Sequence, residues 1–261
     1  MGHNMNRMAR NISIILIAFL TYYFAFENFE KIMLFIDRVF NYRLLSYFIT
    51  YIIIGLPIFI GTYFVNDDHR IFKNLGLLQN IYHGIIIAAI FSFPMFIGGF
   101  IFNKVSDNII IPNLIAKTVF AGLFEELYFR GFLFGQIFKN TKLGFIPSII
   151  LCALVFASGH LYQSQDVSIL IGIFLTTFLG AIFFAWLFVE WNYNLWVPIF
   201  LHTLMNLSWY IFNVSDNALG NINSNIFRGL TITISIIITV LYKRKRGQSL
   251  IINRKTLFMK K

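Results

Sequence analysis

Long apolar runs alternate with short polar stretches along this chain, and the runs have the length of membrane helices. They occupy about residues 12–26, 44–65, 81–102, 112–138, 144–160, 168–190, 195–212 and 226–242. A bilayer core about 30 Å thick needs roughly 20 predominantly apolar residues in a helix. Eight runs near that length predict about eight transmembrane helices. They lack the alternating pattern of an outer-membrane barrel, so the predicted class is an all-α polytopic membrane protein. The first run follows Arg7 and Arg10 as a signal peptide would, but no small-x-small cleavage site comes after it, so it reads as the first span. Pro94 and the Gly98-Gly99 pair predict a kink in the third span. Pro112 suits the first turn of the fourth. The stretches between runs, including 27–43 and 66–80, read as loops.

Composition agrees. Of 261 residues, 58% are hydrophobic and only 12% charged, where a soluble domain carries about 25% charge. No soluble domain, linker, repeat or low-complexity tract interrupts the pattern. The chain reads as a single transmembrane domain over 1–261, with its chemical core at about 109–212 and a basic tail at 243–261.

The net charge of +10 points to a membrane surface and not to nucleic acid. Eight of the 21 Lys and Arg residues follow Leu241, starting with Lys243-Arg244-Lys245-Arg246. A basic cluster just beyond an apolar span marks the cytoplasmic face, where it meets anionic lipid headgroups. With eight spans both termini lie on that face, together with Arg70, Lys73, Lys139 and Lys142. The outward loop carrying Lys31, Arg38 and Arg43 is the exception. The single cysteine, Cys152, lies in an apolar run and excludes a disulfide framework or a Cys-rich metal site.

Of eleven Asp and Glu residues, nine lie in loops or near segment ends. Glu125 and Glu126 alone lie deep in an apolar span, within Phe124-Glu125-Glu126-Leu127-Tyr128-Phe129-Arg130-Gly131. Charge in such a setting is costly unless it is paired or used. On a helix Glu126 and Arg130 are spaced i, i+4 and can pair. Glu125 is rotated by about 100° from Glu126 and is left free for chemistry. His160 closes the fifth span. His202 and Asn206 lie i, i+4 within the seventh. Six polar residues on three apolar spans predict a polar cavity inside the bilayer. His3, His69 and His83 lie at the terminus, in a loop and at a span boundary, and are assigned no role.

A buried glutamate is a competent general base for water, histidine can assist it, and an asparagine amide suits an oxyanion. Two histidines and a carboxylate are equally the ligand set of an open zinc site. The residues alone leave both mechanisms standing. No His-Glu-x-x-His helix and no Gly-x-Ser-x-Gly elbow is present.

Taken in order, Glu-Glu-x-x-x-Arg at 125–130, Phe-x-x-x-His at 156–160 and His-x-x-x-Asn at 202–206 resemble the CPBP family. These are membrane proteins of the CAAX prenyl endopeptidase and bacteriocin-processing (Abi) type. The resemblance implies an eight-helix intramembrane endopeptidase acting on a membrane-associated peptide or protein. It implies that Glu125 activates water with His160 assisting, that His202 and Asn206 form the oxyanion hole, and that Glu126 and Arg130 support the site. The family is commonly labelled metalloprotease. The reading adopted here is a metal-free glutamate mechanism with no cofactor; the alternative is a divalent metal such as zinc on Glu125, His160 and His202. The Ile-, Phe- and Asn-rich composition suggests a bacterial cytoplasmic membrane, where a peptide pheromone, a bacteriocin leader or a membrane-anchored peptide is the expected substrate in place of a prenylated protein.

Two other classes compete. A bacteriocin-immunity or scaffold protein would keep the motifs but act by binding. A transporter or proton relay would use paired acids and histidines, yet no inverted repeat or pair of matched broken helices is evident.

Overall fold

A computed structural model describes residues 2–260, with side chains from residue 6 onward. His3 therefore lies outside the described side chains, and Met1 and Lys261 lie outside the described residues. The described residues are helical apart from turns and one isolated bridge between Leu143 and Met259.

Eleven helices follow in order: α1 Gly2–Phe26, α2 Phe29–Phe40, α3 Arg43–Ile54, α4 Leu56–Val65, α5 Ile71–Asn74, α6 Ile81–Phe102, α7 over 111–140, α8 Phe145–Ser158, α9 Val167–Glu190, α10 Trp196–Ile211 and α11 Ile222–Lys245. Polar residues set several starts. Asn80 caps α6 by accepting from His83 N at 2.9 Å, and Asp166 caps α9 by accepting from Ile169 N at 3.0 Å. Asn221 and Ser224 cap each other reciprocally at the start of α11. Each cap satisfies backbone donors that a helix start leaves open.

Six helical rods among the described residues are long and apolar enough to cross a membrane: α1, α3 with α4, α6, α8 extended to Gln163, α9 and α11. The chain is an integral membrane protein of the all-α class. The expected fourth and seventh spans, α7 and α10, fall outside that set for physical reasons. Lys117, Glu125, Glu126 and Arg130 interrupt the apolar character of α7, and α10 has only 16 residues. These two helices carry most of the predicted chemistry.

Two sequence expectations are corrected. The stretch 27–43 is largely helix, not loop. Phe29, Ile32, Met33, Ile36 and Phe40 recur at helical spacing, and Met33 and Ile36 are buried; the interspersed charges mask that stripe. The third span is one helix with Pro94 inside it. The second span is broken at Gly55, between α3 and α4. There the Tyr128 hydroxyl donates to Tyr51 O at 2.7 Å, and a Cβ on Gly55 would stand 2.2 Å from that hydroxyl.

Helix α7 is the axis of the bundle. From Glu126 to Phe138 every residue but Phe129 is buried. Phe129 meets Phe19 of α1 and Phe156 of α8 edge-on, with ring centroids 5.4 and 5.1 Å apart. The tail after α11 is not free. It turns at Gly247 (φ 66°) and lies back on the bundle. Ile251 N and Ile252 N donate to Glu190 at 3.0 and 2.7 Å. Carbonyls of Thr256, Leu257 and Phe258 accept from Phe145, Ile146 and Gly144 at 2.8, 2.9 and 2.7 Å. The tail thus caps the start of α8, the helix that leads to His160.

Candidate active site

Helix α7 departs from α-helical hydrogen bonding twice, becoming a π-helix over Ala116–Phe120 and again over Glu126–Phe134. Such segments widen the turn and recur at functional sites. The second begins at the Glu-Glu pair, so the two carboxylates straddle a change in helical geometry and diverge.

Glu126 turns inward. Its side chain and that of Arg130 are almost wholly buried, with Nη1 3.2 Å from Oε1. The guanidinium carbon lies 4.2 Å from the Phe156 ring centre and 5.6 Å from that of Phe184. Two rings therefore cover a buried cation, an arrangement that favours Arg over Lys. Glu126 Oε1 also accepts from His202 Nδ1 at 2.8 Å. One oxygen thus ties α7 to α10. Phe184 packs on the His202 ring at 5.4 Å and holds its plane.

Glu125 turns the other way. About 28% of its side chain is exposed, against 14% for His202. Its Oε2 is nevertheless buried and has no hydrogen-bond partner in the protein. His202 Nε2 lies 3.9 Å from it. Because Nδ1 carries the proton given to Glu126, Nε2 is the nitrogen facing Glu125. Close helix approach permits this: a Cβ on Gly122 would lie 2.3 Å from Thr203 Oγ1 and 2.9 Å from Thr203 N.

The structure thus gathers Glu125, Glu126, Arg130 and His202. His160 stands at one remove. Its Nδ1 donates to Phe156 O at 2.8 Å and its ring packs at a tilt on Phe156, centroids 4.7 Å apart, so it adjoins the ring that covers Arg130. It makes no hydrogen bond or ion pair with either glutamate. Asn206 spends one amide hydrogen on Lys117 O at 3.2 Å, a carbonyl within the first π segment. Among the described residues no three His, Cys, Asp or Glu side chains are placed to hold a metal ion. Glu125, His160 and His202 are not among side chains grouped closely enough to share an ion.

One buried acid was missed by the sequence reading. Glu190 looks like a span-end residue, yet it is 1% exposed and pairs with Lys243 at 2.6 Å. Its position beside Trp191 and Asn192 hides the fact that the returning tail covers it.

Two carboxylates, an arginine and a histidine thus converge between α7 and α10. Residues 107–208 match the family model described as type II CAAX prenyl endopeptidase Rce1-like. The matched stretch contains all six candidate residues and bears out the resemblance to the CPBP family. No curated protein and no solved structure matches the chain.

Proposed function

We propose that the protein is an intramembrane endopeptidase in which Glu125 activates water to cleave a membrane-associated peptide. The observation that carries this reading is the pair of inward-facing acceptors, Glu125 Oε2 and His202 Nε2, 3.9 Å apart. A water that donates two hydrogen bonds of about 2.8 Å at its own bond angle sets its acceptors roughly 4.4 Å apart. A small widening, about half an ångström, accommodates one water between the two groups.

In the proposed reaction Glu125 takes a proton from that water as its oxygen attacks the scissile carbonyl carbon. The carbonyl π electrons move to oxygen and form a tetrahedral oxyanion. The second Asn206 amide hydrogen is the donor left to receive it. As the C–N bond breaks, Glu125 returns the proton to the leaving nitrogen. Glu126 and Arg130 fix the His202 ring and do not touch substrate. Both termini lie on the cytoplasmic face of a bacterial membrane in this reading, with the basic tail against anionic headgroups and residues 109–212 forming the protease core.

The test compares peptides from cells carrying wild type or Glu125→Gln at equal membrane abundance. Termini present only with wild type are expected and would name a substrate. Identical peptide sets, with a protective phenotype retained by the variant, would put the immunity or scaffold reading in its place. Repeating the cleavage with purified, chelator-treated protein examines the zinc alternative: loss of cleavage, restored by zinc, would establish it.

A further inference from the structure

Three membrane-spanning helices meet at their ends, away from the glutamate site. Helix α6 starts at Ile81, α9 ends at Glu190 and α11 ends at Lys245, and a cavity of about 130 Å³ lies between these ends. At about 30 Å³ per water it has room for roughly four waters or for one phosphate group. Hydrogen bonds fix its frame. Asn194 Nδ2, in the turn after α9, donates to Asn80 O at 3.0 Å, and Trp191 Nε1 donates to Thr239 Oγ1 of α11 at 3.0 Å. Walls tied in this way need little ordering when a ligand binds.

The lining is rich in donors and holds one acid, which is already satisfied. Glu190 Oε2 accepts from Lys243 Nζ at 2.6 Å and from Ile251 N at 3.0 Å, and Oε1 accepts from Ile252 N at 2.7 Å. Late carbonyls of the two helices are met as well: Phe188 O by Tyr193 N and Lys243 O by Gln248 N, both at 2.9 Å. Beyond these the cavity is lined by Arg246, by the other N–H bonds of Lys243, and by the side-chain amides of Gln79 and Gln248. Arg246 is exposed and meets no carboxylate among the described residues; its guanidinium carbon lies 4.7 Å from the Tyr242 ring centre. With Glu190 and Lys243 cancelling, the cavity keeps one positive charge. An arginine fork beside amide donors matches the several oxygens of a phosphate. The place suits a phospholipid: Tyr82 at the start of α6 and Leu241 near the end of α11 are exposed, and basic pockets between spanning helices at a cytoplasmic face bind anionic headgroups.

We infer that the cavity between α6, α9 and α11 is a binding site for the phosphate of an anionic phospholipid, held chiefly by Arg246 with Lys243 and Gln79 beside it. A zwitterionic headgroup fits less well, because both oxygens of the one carboxylate are engaged and none is left for a cationic end. The site shares no residue with the Glu125–His202 centre, so the inference stands whatever that centre does. Lys243 and Glu190 also anchor the tail, so a bound phosphate adds to the contacts that hold residues 247–260 on the bundle.

The test follows the unfolding midpoint of the full chain, purified in a neutral detergent at constant ionic strength. Short-chain phosphatidylglycerol, short-chain phosphatidylcholine or inorganic phosphate is added in turn. A saturable rise with phosphatidylglycerol is expected, and at least about tenfold more of either other compound should be needed for the same rise. Arg246→Gln should raise the half-saturating concentration of phosphatidylglycerol by at least about tenfold. Gln79→Glu, which sets a carboxylate in the lining from the α6 side, should do the same. Arg244→Gln removes the same charge two residues away, outside the lining, and should change that concentration by less than about twofold. Equal losses in Arg244→Gln and Arg246→Gln would mean diffuse attraction to the basic tail and would overturn the site. Inorganic phosphate as effective as phosphatidylglycerol would make the occupant a free anion and overturn the lipid assignment. An equal response to phosphatidylcholine would overturn the charge selection, and no saturable rise with any of the three would overturn the proposal outright.

Discussion

Lys243 and Glu190 form an ion pair 2.6 Å long in which 3% and 0% of the two side chains are exposed. The pair joins the end of α9 to the end of α11, and the same carboxylate takes the Ile251 and Ile252 amides. Removing one member of such a pair leaves a buried charge uncompensated, which costs about 3–5 kcal/mol, whereas removing both is far milder. Glu190→Gln is therefore expected to lower the unfolding midpoint in detergent and to expose residues 247–260 to protease. Adding Lys243→Met to Glu190→Gln should recover most of the loss. Equal destabilisation by the single and double variants would show that the charges are solvated and not paired.

The other end of the tail gives a pH signature. Lys260 donates to Phe138 O and lies 4.5 Å from the Phe138 ring centre. Burial pushes its ammonium down to about 8, against about 10.4 when free. The docked tail thus binds fewer protons than the released tail between these values, so docking strengthens as pH rises through that window and is uniformly weaker below it. Protease cleavage of the tail should slow as pH rises from about 8 to about 10.4. Lys260→Met should flatten the profile; a profile that stays steep would assign the titration to another group.

Much of the site was legible because charge in apolar surroundings stands out. Glu125, Glu126 and Arg130 announce themselves by contrast, and the Glu126–Arg130 pair follows from i, i+4 spacing alone. His202 was legible as a site residue but not as the partner of Glu126, because that contact depends on how closely α7 and α10 approach at Gly122. Residue type and order carry no distance either: His160 is held by Phe156 O and makes no contact with the glutamates. The π segments of α7 leave no mark on hydrophobic periodicity at this length. The α2 stripe and the burial of Glu190 were hidden by neighbouring polar residues, which read as loop until the packing partner is known.

The cover on Arg130 yields a further expectation. Its guanidinium lies against Phe156 and Phe184 while its nitrogens lack hydrogen-bond partners other than the Glu126 contact. A lysine keeps the charge but gives up the planar stacking face and strengthens the need for hydration. Arg130→Lys should reduce cleavage by at least about tenfold through misplacement of Glu126 and His202, with the loss in kcat and not in KM. Phe156→Leu, which thins the cover while keeping an apolar neighbour, should cause a smaller loss of the same kind. A rise in KM at constant kcat would instead place Arg130 in substrate binding.

Gly122 offers the most direct control over the distance between the two halves of the site. A methyl there meets Thr203 Oγ1 at 2.3 Å, which a rotamer change or Thr203→Ala can relieve, but it also meets Thr203 N at 2.9 Å and Ile199 O at 3.1 Å, which are backbone. Helix α10 must therefore move away from α7, and the first contacts strained are His202 to Glu126 and His202 to Glu125, one turn along the seam. Such clashes typically cost about 1–3 kcal/mol when the backbone has to shift, small enough for the protein to remain folded. Gly122→Ala is expected to reach the membrane at near-normal abundance and to lose cleavage by at least about a hundredfold, because an ångström of misplacement is enough to do so. Thr203→Ala should rescue only part of that loss. Full rescue would mean that the hydroxyl alone is in the way and that the helices do not have to part; no loss at all would mean that the His202 contacts to α7 are not needed for the chemistry.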